Sequence, residues 1–181
     1  MYEDLFVVDV EATAPTPMTG VMPCFGAVHV VSGRTFYGHL YRWRHDPAGL
    51  PVLELGDDGA SIAEPYWAVD GQDALHGEQP GDVAAALQAW VGGFEVARPT
   101  LVSDNNGFDA MWLNCFTDGA GLGLLFGHSS RRIGDYFAGT RGRWADQSSW
   151  KSLRRTAHTH HPVDDAIGNA EALRVILGIG S

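Results

Sequence analysis

Asp9 and Glu11 close the apolar run Leu5-Phe6-Val7-Val8-Asp9-Val10-Glu11. In an extended chain successive side chains point to opposite faces, so residues two apart share one. A strand here carries two carboxylates side by side at its end. Like charges held together on a hydrophobic strand are unfavourable unless a cation lies between them, and hard divalent ions such as Mg²⁺ and Mn²⁺ select carboxylate oxygen. The alternative is a solvated strand end. Two further clusters bear chemistry. In Ser103-Asp104-Asn105-Asn106-Gly107-Phe108-Asp109, Asp104 ends an apolar stretch and Asp109 falls in the opening turn of the helix expected next; either could be a plain cap. In His158-Thr159-His160-His161-Pro162-Val163-Asp164-Asp165-Ala166, Pro162 is suited to open a helix, which puts Asp165 on its first turn and His160 in the preceding loop. His158 and His160, alternate residues of an extended segment, could share a zinc ion, although no Cys or second His pair stands at a usual ligand spacing. Asp164 could orient one of these histidines.

The elements that must position these groups follow from periodicity. After the first strand, Ala14-Pro15-Thr16-Pro17, Gly20 and Pro23 mark a loop. Residues 24–31 and 35–41 read as a second and a third strand around the turn Ser32-Gly33, the three being antiparallel. From Arg44 to Gly81 the chain is rich in Gly, Pro and Asp, which predicts loops with one short helix near Ser61–Ala68. Asp82 is placed to cap a helix through Val83, Leu87, Trp90 and Val91. Residues 99–103 form a short buried strand, followed by a helix over Phe108–Phe116. Further helices are expected at Arg131–Ala138, Ser148–Thr156 and Val163–Leu177, the last with Ala166, Ala170, Leu173 and Leu177 on one side. Strands first, then strand and helices alternating, gives an α/β fold with a mixed central β-sheet flanked by helices. Catalytic side chains in such sheets gather where strands end and helices begin.

The 181 residues fit one domain, 1–181, with no repeat or linker. The acidic start Met1-Tyr2-Glu3-Asp4 is unlike a secretory signal, and no apolar run is long enough to span a bilayer, so a cytoplasmic protein is expected. Cys24 and Cys115 read as reduced core thiols. The net charge of −10 argues against a nucleic-acid partner until its distribution is considered. Residues 131–155 hold Arg131, Arg132, Arg141, Arg143, Lys151, Arg154 and Arg155, seven of the twelve basic residues, against Asp135 and Asp146. A basic segment on an acidic body suits a polyanion held in one place, or else is a solvated helix face.

Asp9, Glu11, Asp109, His160 and Asp165 together resemble the DEDDh family of 3′→5′ exonucleases. Asp9-Val10-Glu11 is similar to its first motif, Asn105, Phe108 and Asp109 to its second, and His160 with Asp165-Ala166 to its third. His161 stands where the tyrosine class of the superfamily would have Tyr. Ala12-Thr13-Ala14 replaces the usual Thr-Thr-Gly, and Asp104-Asn105-Asn106-Gly107 replaces His-Asn-Ala-Ala. The resemblance implies a ribonuclease H-like exonuclease fold and two Mg²⁺ or Mn²⁺ ions held by Asp9, Glu11, Asp109 and Asp165, with Asp9 bridging both. It implies His160 as general base toward the attacking water, and release of nucleoside 5′-monophosphates from single-stranded 3′ ends. Thr13, Phe108, Trp112, Arg131, Arg132 and Lys151 are the expected substrate contacts, the aromatics by stacking and the cations at phosphates, although an apolar pair spaced like Phe108 and Trp112, four apart on one helix, is more often core. Similarity to the RNase AS-like exoribonuclease branch favours RNA over DNA and suggests a homodimer. Other readings are a non-catalytic nucleic-acid-binding or regulatory module, a DNA-directed proofreading exonuclease, and an endonuclease of related fold.

Overall fold

The computed structural model describes residues 2–180. Its centre is β1 (Leu5–Glu11), whose Phe6, Val8 and Val10 are buried on one face while Asp9 and Glu11 share the other. β2 (Cys24–His29) and β3 (Thr35–Tyr41) continue antiparallel from it, as the alternation predicts. On the other side of β1 lies β8 (Thr100–Ser103), parallel to it.

The segment expected to be loops with a short helix instead extends the sheet. β4 (Trp43–His45) and β5 (Pro51–Leu53) form a separate hairpin. β6 (Ala63–Val69) pairs antiparallel with β3, and β7 (Leu75–His76) with β6. The expected helix near Ser61–Ala68 is therefore strand. Pro65 argues locally against a central strand, yet the register shifts opposite it: His39 pairs with Tyr66 and Tyr41 with Ala63, so Glu64 and Pro65 together face Leu40. A bulge is a place where a residue without an N–H is tolerated.

α1 (Pro80–Gly92) and α2 (Asn106–Gly119) cover one face of the sheet; α3 (Ile133–Arg141) and α4 (Pro162–Leu177) cover the other. Asp82 sits at the third position of α1 rather than at its cap, where its carboxylate accepts the Gln79 and Glu78 N–H groups. Arg131–Arg132, expected to begin a helix, form a short strand, β9, parallel to β8. The full order is β7-β6-β3-β2-β1-β8-β9, a mixed seven-stranded sheet with a two-residue strand at each end. The helix expected at Ser148–Thr156 shrinks to one 3₁₀ turn, Ser149–Leu153, anchored by fully buried Trp150. Beyond it Arg155 and Thr156 give their N–H groups to Glu171 on α4 instead of extending the turn.

α4 approaches the sheet because of one glycine. Gly26 pairs with Asp9 across β1 and β2, and a Cβ there would lie 2.5 Å from the Pro162 backbone. The missing side chain lets the first turn of α4 rest against β2 beside Asp9. Cys24 is buried as expected, but Cys115 is exposed on α2 and is not a core thiol.

Candidate functional site

Three of the predicted acids meet. Asp9 and Glu11 project from β1 on the α4 side, and Asp165 projects from the first turn of α4; one oxygen from each lies within 4.8 Å of the others. Asp165 is 2% exposed. Its Oδ1 accepts the Thr159 N–H at 3.1 Å, and its Oδ2 lies 2.7 Å from His158 Nδ1. Asp109, in the first turn of α2, sits behind this trio: it is buried, and its Oδ1 accepts the Val10 N–H at 3.2 Å, which ties α2 to the strand carrying Asp9 and Glu11.

The electrostatics follow from crowding. Burial, and then the charges of Asp109, Asp165 and Glu11, hold the Asp9 carboxyl well above the ordinary carboxylate range. Burial beside Asp165 and Asp109 pushes Glu11 up to about 7. Asp109 is likewise pushed up to about 7, chiefly by burial. Arg154 acts in the opposite sense on Asp9. Its guanidinium is mostly buried, over the Trp150 ring at 5.0 Å, with Nη2 3.7 Å from Asp104 Oδ2. Asp104 is thus a counter-ion, paired also with Lys151 Nζ at 2.6 Å, rather than a member of the carboxylate trio.

The histidine loop is tightly shaped. His160 has φ 61°, the left-handed region that a side chain rarely adopts, and its ring lies 4.3 Å from that of His158 and 5.8 Å from that of His45 on the β4–β5 hairpin. Residues held in such backbone conformations cluster at functional sites. Asp164 accepts the Thr159 hydroxyl at 2.9 Å, so it braces the loop rather than a histidine ring. His161 turns away, its ring 5.0 Å from Tyr37.

The expected substrate contacts separate into two groups. Trp112 is 3% exposed and belongs to the core on the α1–α2 face, which removes it as a stacking surface; its indole only borders a cleft of about 260 Å³ near Tyr41 and Phe116. Lys151 pairs with Asp104, and Arg132 with the Asp104 carbonyl, Gln147 and Asp135, so both cations carry contacts within the protein. The Thr13 hydroxyl accepts the Val21 N–H at 3.0 Å and closes the loop after β1. Phe108 is half-buried against the core, and Arg131 is exposed with its guanidinium on the Ser129 and Ser130 carbonyls. Sequence reasoning missed His45, which nothing local marks, and left Arg154 within the basic segment without a role. In the same segment Arg143 and Trp144 are exposed, the latter 80% so, and exposed Arg141 lies with its guanidinium 5.0 Å over the Phe137 ring.

No protein-family model matches the chain, and no curated protein matches it. Among the described residues no helix is long and apolar enough to cross a membrane.

Proposed function

We propose that the chain is a metal-dependent 3′→5′ exonuclease with a ribonuclease H-like fold, hydrolysing single-stranded 3′ ends, RNA in preference to DNA, to nucleoside 5′-monophosphates. The observation that carries this reading is the convergence of Asp9, Glu11 and Asp165 beside the His160 loop. Direction, product and RNA preference rest on the motif resemblance.

The donor set fits hard divalent ions. Carboxylates crowded until they retain protons near neutrality are relieved by a cation between them, and oxygen-only donors select Mg²⁺ or Mn²⁺. Asp9, Glu11 and Asp165 would hold the metal, and Asp109, behind Asp9, would complete the set. Bound there, divalent ions would stabilise the charge that develops on the oxygens of the phosphodiester being hydrolysed. The protein's own groups supply the rest. His160, exposed on its loop, takes the proton of the attacking water. Thr159 fixes Asp165 and, through Asp164, the loop that carries His160. Arg154 offsets charge at Asp9, and exposed Trp144 with Arg141 and Arg143 offers stacking and phosphate contacts to the incoming strand.

Matched single-stranded RNA and DNA, labelled at the 3′ end, test the proposal with Mn²⁺ or Mg²⁺ present. Immediate release of labelled mononucleotide, faster from RNA, is expected. Internal fragments would instead indicate an endonuclease, and binding without cleavage would indicate a nucleic-acid-binding module. His160→Ala should lower turnover about 10²- to 10⁴-fold, the range for loss of a general base.

A further inference from the structure

We propose that His158, His160 and Asp165, joined by His45 from the β4–β5 hairpin, form a site for a transition-metal ion such as Zn²⁺, adjacent to the hard-ion donors and sharing Asp165 with them. One ligand atom from each of His158, His160 and Asp165 lies within 4.8 Å of the others. The two histidines are exposed, so their rings can close on an ion without repacking the core. His45 is exposed as well, with its ring 5.8 Å from that of His160, close enough for side-chain rotation to bring in a fourth ligand. Three imidazoles and one carboxylate make a tetrahedral set of the composition zinc takes, and imidazole favours Zn²⁺ over Mg²⁺.

Two features point to a ligand rather than to a simple His–Asp pair. Asp165 Oδ2 is buried and has no hydrogen-bond partner of good geometry, although His158 Nδ1 lies 2.7 Å away. The left-handed backbone at His160 is adopted where the His158 and His160 rings lie side by side, an arrangement that an ion pair of His158 with Asp165 does not require. Thr159 N–H holds Asp165 Oδ1, as supporting contacts orient metal-binding carboxylates elsewhere. Asp165 belongs to both donor groups and its Oδ2 faces His158, so Zn²⁺ on the histidine side draws that oxygen away from Asp9 and Glu11 and, resting on the function proposed above, inhibits Mn²⁺-dependent hydrolysis.

The test is metal binding to the whole protein without nucleic acid, so it stands or falls separately from the nuclease reading. Zn²⁺ competed against a chromophoric chelator should bind once per chain. His158→Ala and His45→Ala, both at exposed positions, should each weaken it at least about tenfold, and Co²⁺ in its place should show the intense visible absorption of four-coordinate cobalt. Asp9→Ala should remove Mn²⁺ binding, read by electron paramagnetic resonance, and leave Zn²⁺ binding in place. Zn²⁺ affinity indifferent to His158→Ala, or lost with Asp9→Ala, overturns the site. Mn²⁺ uptake undiminished by one equivalent of Zn²⁺ overturns the sharing of Asp165.

Discussion

Asp9, Glu11 and Asp109 enter the fold at an electrostatic disadvantage, and that has a direction in pH. Their carboxyls are raised in the folded protein, Glu11 and Asp109 to about 7, from an unfolded value of about 4. Across that window the native state binds more protons than the unfolded chain, so metal-free stability should fall as pH rises from about 4 through about 7, and Asp9, raised in the same sense, adds to the fall. The thermal midpoint should drop between pH 5 and pH 8, with millimolar Mn²⁺ restoring it more at pH 8 than at pH 5; a midpoint that climbs over this interval contradicts the crowding described. Asp9→Asn should raise the metal-free midpoint at pH 8 and cancel the Mn²⁺ effect. In the hydrolysis assay, Asp9→Ala should leave no Mn²⁺-dependent product while retaining a cooperative melt; substantial remaining turnover would place the chemistry elsewhere. At this scale the sequence was informative about groups whose placement is local. Strand parity put Asp9 and Glu11 on one face, and the first-turn positions of Asp109 and Asp165 followed from helix starts. His45, Arg154 and the pairing of Lys151 with Asp104 depend on contacts between segments far apart in the chain, which periodicity does not carry.

At the level of elements, β1 to β3 and α4 were legible because each keeps one period along its length. The stretch from β4 to β7 was not, because its short strands are interrupted by the turns at Gly49, Gly59 and Gly71 and by Pro65, so no single period survives. β6 exists because β3 offers a partner and the bulge absorbs the proline. The most exacting joint is that between β2 and α4. Gly26→Ala would press a methyl group into the Pro162 backbone, which neither element can yield without moving Asp165 relative to Asp9. Overpacking of this kind destabilises by about 1–3 kcal/mol, and hydrolysis should fall further than the melt implies. A variant that loses stability alone, with metal affinity and turnover unchanged, would show that α4 can shift without disturbing the acids.

For the whole molecule, the distribution of charge matters more than its sum. If Arg141 and Arg143 meet phosphates, replacing both with Ala should weaken binding of single-stranded RNA and flatten the dependence of log affinity on log salt by about 0.7 for each phosphate no longer neutralised. A salt dependence that does not alter would assign these arginines to solvation. The sheet that organises the molecule ends in β7 and β9, each only two residues long. Strands so short leave little backbone for a neighbouring chain to hydrogen-bond. Self-association by adding sheet to sheet at these two ends is thereby discouraged, and any contact between copies there would be read from side chains rather than from a shared ladder.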